Sequence, residues 1–101
     1  MTTPVAPGTI FVSTWGYDQT NVDFYRVVRS TAASVWLQKV GQRVEAQTGY
    51  MSETVMPTDR EIGNVFRRKV STFMGKAWAS INDYAGASEW NGQPVTQTHY
   101  A

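Results

Sequence analysis

The chain has 101 residues, 42% of them apolar and 17% charged, with a net charge of +1 and no cysteine. This composition fits one folded domain and excludes an intrinsically disordered chain. The lack of cysteine excludes disulfides and thiolate metal sites, and suits a reducing compartment. Apolar runs are too short to cross a membrane, and "MTTPVAPGTI" lacks the basic start and apolar stretch of a signal peptide, so neither a membrane partner nor a leader is expected.

Twelve Val and twelve Thr stand against a single leucine, Leu37. Branching at Cβ favours pleated strands, whereas helical cores lean on Leu. In chain order, residues 1–8, with Pro4, Pro7 and Gly8, read as a flexible arm. "TIFVSTW" (9–15) reads as a first strand and "NVDFYRVVRS" (21–30) as a second. In that second strand Phe24, Arg26 and Val28 share one face, and Asp23, Tyr25 and Val27 the other. The link "STAA" predicts an antiparallel hairpin into a third strand, "SVWLQKVGQRVEA" (34–46), with a bulge at Gly41. Residues 47–64 carry Gly49, Pro57 and Gly63 and read as an irregular loop or a single helical turn. The latter is suggested by the capping-box pattern from Thr58 to Glu61. "VFRRKVSTF" (65–73) and "KAWASIND" (76–83) read as further strands. Asn91-Gly92 predicts a tight hairpin turn, and Pro94 puts the last strand at an edge. The expected fold is all-β: one domain over residues 1–101, built as a small, strongly curved antiparallel sheet or barrel of about five to six strands. Bulky apolar groups on both faces of the second and third strands fit such closure, because curvature and extra loops cover part of the outer face.

Charge is unevenly distributed. Between Phe24 and Val44 lie Arg26, Arg29, Lys39 and Arg43 with no acid; between Arg60 and Lys76 lie Arg60, Arg67, Arg68, Lys69 and Lys76 with Glu61 alone. If the second, third and "FRRKV" strands share a surface, that surface attracts polyanions. The plainer reading is that these charges keep the outer face soluble and blunt edge strands. Alternation further means that Arg67, Arg68 and Lys69 cannot all meet one ligand.

Catalytic chemistry is sparse. His99 is the single histidine, and there is no Gly-rich phosphate loop, nucleophile elbow or metal-ligand spacing. Asp18 and Asp23 have the chemistry to hold a hard cation, but Asp beside Asn, Thr and Gly is the ordinary chemistry of turns. No cofactor or metal is expected. The stretch "STWGYDQTNVDFYRVV" reads first as strand, tight polar loop and strand, with Trp15 and Phe24 mostly buried. Its second reading is a rigid recognition loop presenting Tyr17, Asp18, Gln19 and Asn21.

Ser13-Thr14-Trp15-Gly16-Tyr17-Asp18-Gln19-Thr20-Asn21-Val22-Asp23-Phe24-Tyr25, with the tail Trp90-Asn91-Gly92-Gln93-Pro94 and a Tyr100-Ala101 ending, resembles a group of small uncharacterised proteins of bacteriophages and other mobile elements, including actinobacterial phages. In that pattern the tryptophan directly follows a serine; here Thr14 intervenes. The resemblance implies an accessory protein in the cytoplasm of a bacterial host and carries no activity or catalytic residue. The leading expectation is therefore a non-catalytic binding module that contacts nucleic acid. Its candidate contacts are Tyr17, Asp18, Gln19, Asn21, Arg26, Arg67, Arg68 and Lys69. The alternative is a binder or inhibitor of a host protein, a defence or replication factor. An enzyme using Asp18 and Asp23 comes behind both. Homo-oligomerisation through edge strands is also open.

Overall fold

The computed structural model describes residues 5–16, 20–49, 52–73, 76–82 and 85–98. They form eight strands: β1 (Ile10–Trp15), β2 (Asn21–Ser30), β3 (Ser34–Gly49), β4 (Ser52–Glu61), β5 (Phe66–Phe73), β6 (Lys76–Asn82), β7 (Ala85–Glu89) and β8 (Val95–Thr98). No helix occurs among the described residues, as the Val- and Thr-rich composition predicts. Antiparallel pairing runs β2-β1-β7-β6-β5-β3, and a further β2–β3 pairing closes these six strands into a barrel. β4 and β8 lie outside the ring. β4 pairs with the second half of β3, and β8 pairs with β4 at the end of the sheet order.

β3 is the pivot of this arrangement. Its first half serves the barrel, with Val35 and Leu37 inward and β2 and β5 on either side. Its register with β4 shifts between Val40 and Gln42, at the predicted Gly41 irregularity, and beyond that point it runs out as an arm. The molecule is accordingly elongated, 45 × 25 × 23 Å.

Two apolar clusters result. The barrel interior holds Phe11, Tyr25, Val27, Val35, Leu37, Ala79 and Ala87. The second cluster lies on the outer side of β1 and β2. Val22, Phe24, Val40 and Val55 are buried there, with Ile10, Val12, Trp90 and Val95 packed against them. Adjacent residues Phe24 and Tyr25 are thus both buried, on opposite faces of one strand, because β4, β8 and the segment around Trp90 cover the outer face. Phe24 meets Trp90 edge-on, with ring centroids 5.9 Å apart.

Four expectations are corrected. Within residues 47–64 the irregular stretch holds for 62–64 alone among the described residues: β3 continues to Gly49, and β4 covers Ser52–Glu61, with no helical turn. The Thr58 hydroxyl accepts from the Arg60 N–H at 3.3 Å, so the capping chemistry serves a β4 irregularity in which Val40 pairs with Glu61 but Gln42 with Pro57. Asn91-Gly92 does not close a hairpin. Gly92 takes φ +86° and the Asn91 side chain accepts from the Gln93 N–H at 3.0 Å, but the turn carries the chain from β7 in the barrel to β8 on β4. Residues 5–8 are no flexible arm. Val5 packs against the barrel core, Gly8 N–H donates to Val27 O at 2.7 Å, and the Ser30 hydroxyl donates to Val5 O; residues 1–4 lie outside the described residues. Finally, Phe24 is fully buried but Trp15 only partly so.

Candidate functional site

The polar stretch after β1 divides into two parts. Tyr17, Asp18 and Gln19 lie outside the described residues. Asn21 opens β2 directly opposite Trp15, and Asp23 stands opposite Ser13. The Trp15 indole Nε1 donates to Asp23 Oδ2 at 2.8 Å, and Lys39 Nζ lies 3.3 Å from Asp23 Oδ1. One carboxylate therefore ties three strands together, a structural use that engages both of its oxygens. Ser13 Oγ is buried beside this cluster without a hydrogen-bond partner among the described residues. Thr20 is fastened to β8: Thr98 N–H donates to Thr20 O at 3.0 Å and Thr20 N–H to the Thr98 hydroxyl at 2.8 Å.

The basic residues sort by strand alternation. β2, β3 and β5 are neighbours, so Arg26 and Arg29 of the first basic cluster share one wall with Arg67 and Lys69 of the second. Arg26 is on that wall but paired with Glu61. Arg43, out on the arm, pairs with Glu45 at 3.4 Å. Arg68 stands opposite buried Val35, on the inward side. Its guanidinium lies 4.7 Å from the Phe66 ring, and both Nε and one terminal nitrogen donate to Ile81 O, at 3.2 and 3.1 Å. The β5–β6 ladder stops at Val70–Ala79, so Arg68 supplies by side chain the bond the backbone ladder no longer makes there.

On this wall Arg29, Arg67 and Lys69 remain, while Arg60, also exposed, lies apart on β4. All three are exposed, and among the described residues none has a carboxylate within ion-pairing distance. Trp36 sits between the two arginines, opposite Arg29 across β2–β3 and opposite Arg67 across β3–β5. Both guanidinium groups face its ring, at 4.7 Å for Arg29 and 6.0 Å for Arg67. A bulge creates this row. The β2–β3 register shifts between Val27 and Arg29; without the shift Val28, not Arg29, would stand across from Trp36. Lys69 follows two positions along β5, opposite Ser34. Arg29 and Trp36 were not among the candidate contacts read from the sequence, since their partnership exists only in the register of three strands.

A second ring stands on the same outer side. Trp78 on β6 is paired with Ser71 of β5 and is 41% exposed. Its ring lies against Gly86 of β7: a Cβ added to Gly86 would stand 2.6 Å from Trp78 Cζ2. Only a residue without a Cβ lets the indole lie this close to the backbone.

Among the described residues no group of three or more His, Cys, Asp or Glu side chains gathers where a metal ion could be held. Among the described residues no helix is long and apolar enough to cross a membrane. Compared with family models, curated proteins and solved structures, the chain matches none.

Proposed function

We propose that this protein is a non-catalytic, nucleic-acid-binding accessory module of a phage or other mobile element, with the outer wall of β2, β3 and β5 as its contact surface. The observation that carries the reading is the Arg29–Trp36–Arg67 row with Lys69 beside it. These cations are exposed and unneutralised by any described carboxylate, although the chain as a whole is nearly neutral. Cations that face solvent beside an aromatic ring are what polyanion recognition uses. The phage origin and bacterial location rest on the sequence resemblance alone.

The test is binding of labelled oligonucleotides against salt. Three phosphate contacts give a log–log slope of about −2 to −3, so affinity falls roughly 20- to 40-fold between 50 and 200 mM salt. Arg29→Ala, Arg67→Ala and Lys69→Ala each lower the slope by about one, while Arg68→Ala leaves it unchanged. No binding of DNA or RNA at low salt, or equal effects of Arg67→Ala and Arg68→Ala, refutes the assignment.

A second reading, a binder of a host protein, draws on exposed Val44, Ile62 and Val65, at 56%, 42% and 46%. A stoichiometric protein partner captured from nuclease-treated host lysate, and released by Val44→Asp or Val65→Asp, favours it over the first.

A further inference from the structure

We infer that the nucleic acid taken by this wall is single-stranded, and that it runs obliquely from Trp36 past Arg67 and Lys69 to Trp78, with unpaired bases stacked at the two tryptophans. This rests on the nucleic-acid reading above and assigns its ligand class.

The path follows from register. Trp36 is directly opposite Arg67 on β5; Lys69 lies two residues farther on, and Ser71, two farther again, is opposite Trp78 on β6. Arg67, Lys69 and Ser71 share the outward side by alternation. Ring, cation, cation and ring thus follow one another across neighbouring strands. Strand spacing and rise put the two indoles about 16 Å apart along the wall. That length accommodates a site of about four nucleotides, at the small end for single-strand-binding β-barrels.

The state of each ring points the same way. Trp78 has Gly86 against it and 41% of its surface open. An indole seated on glycine backbone, held flat and partly solvated, is a ready stacking platform. Trp36 is covered by the Arg29 guanidinium at 4.7 Å. An exposed cation–π contact is weaker than a base stacked on tryptophan. A base therefore displaces the guanidinium, which turns to an adjacent phosphate and gains a charge-assisted, bidentate contact.

Duplex is disfavoured by the same geometry. Bases in a duplex are already paired and stacked, so the rings would have nothing to receive. The wall is the convex outside of a barrel and cannot enter a groove. Among the described residues the element that projects, the β3–β4 ribbon, has the shape for a major groove but the wrong charge. Residues 41–61 carry Arg43 and Arg60 against Glu45, Glu53, Asp59 and Glu61, a surplus of two negative charges.

The experiment compares an eight-residue oligothymidylate with a hairpin duplex of equal length, at 50 mM salt, read by anisotropy and by intrinsic tryptophan fluorescence. The expected result is at least tenfold tighter binding of the single strand, with quenching. Trp78→Ala should weaken the single strand about tenfold without changing its salt slope. Trp36→Phe, which keeps a ring at a partly buried position, should lose part of the quenching and bind about threefold more weakly; thermal melts check that both variants fold. Duplex binding as tight as single-strand binding overturns the inference. So do tryptophan variants that bind like the parent while Arg67→Ala still weakens binding, and either result leaves the nucleic-acid reading standing. Binding of neither probe removes both.

Discussion

Phe24→Ala tests whether the outside of β1 and β2 is a second core. Phe24 faces away from the barrel interior, yet it is 0% exposed, walled by Val22, Val40 and Val55 and set edge-on to Trp90. Truncating a fully buried phenylalanine costs about 3–5 kcal/mol, through lost transfer energy and the cavity left behind. The edge-to-face pair accounts for about 1 kcal/mol of that. A domain of this size has a total stability on the order of 5–15 kcal/mol. At a urea slope of about 1.5 kcal/mol/M, a loss of about 4 kcal/mol moves the unfolding midpoint down by roughly 2.7 M. Val28→Ala is the control: the same strand, 39% exposed, and a shift within about 0.5 kcal/mol. Val55→Ala, on the covering strand β4, should cost about 2 kcal/mol and couple to Phe24→Ala by at least about 0.5 kcal/mol, because the two line one cavity. A Phe24→Ala loss below about 1 kcal/mol, or strict additivity with Val55→Ala, would show that β4 and β8 do not seal this face.

Three further outcomes follow from the structure. Asp23→Ala removes the acceptor of Trp15 and the partner of Lys39 and should cost about 2 kcal/mol, more than Trp15→Phe; thermal melts compare the two, and a neutral Asp23→Ala means that the carboxylate does not hold the strands together. Gly86→Ala drives a methyl into the Trp78 indole and should cost about 1–3 kcal/mol, with most of the loss recovered in the Gly86→Ala/Trp78→Ala double variant; failure of that recovery in urea titrations places the strain elsewhere. Arg68→Ala leaves Ile81 O without its donor and should cost about 1–3 kcal/mol at unchanged nucleic-acid salt dependence; a changed slope with unchanged stability would reverse the assignments of Arg67 and Arg68.

The all-β class and the curved sheet were legible because β-branched residues dominate and because "NVDFYRVVRS" is apolar on both faces, which an open sheet with one wet face does not tolerate. β4 was hidden by its own punctuation. Pro57 and the Thr58–Glu61 pattern mark breaks, and only the partner strand shows that the break is a register shift inside a ladder. β7, with sequence "AGASE", lacks the bulky residues that signal a strand, because Ala85 and Ala87 face an interior already filled by Phe11 and Leu37. Asn91-Gly92 announced a turn correctly, but turn chemistry is local and does not say which strand the chain pairs with next. In the site, alternation set Arg68 on the opposite face from Arg67 and Lys69 but did not say which face was inward, so all three stood among the candidate contacts until the pairing of Arg68 with buried Val35 decided it. The join of Arg29 to Trp36 depends on a one-residue bulge, below the resolution of any periodicity.

The closure of the ring sets a schedule for the chain while it is being made. β1 takes its second neighbour from β7, with Phe11 pairing to Glu89 and Ser13 to Ala87. Until β7 leaves the ribosome, β1 has one bare edge and the future barrel interior lies open along Phe11, Tyr25 and Leu37. At ordinary elongation rates of about 5–20 residues per second, that exposure lasts roughly 4–15 s. Such long-range pairings also fold slowly once the strands are available. The nascent chain is therefore most vulnerable to misassembly during translation itself, and slower elongation lengthens the interval in which a β1 edge can find the wrong partner.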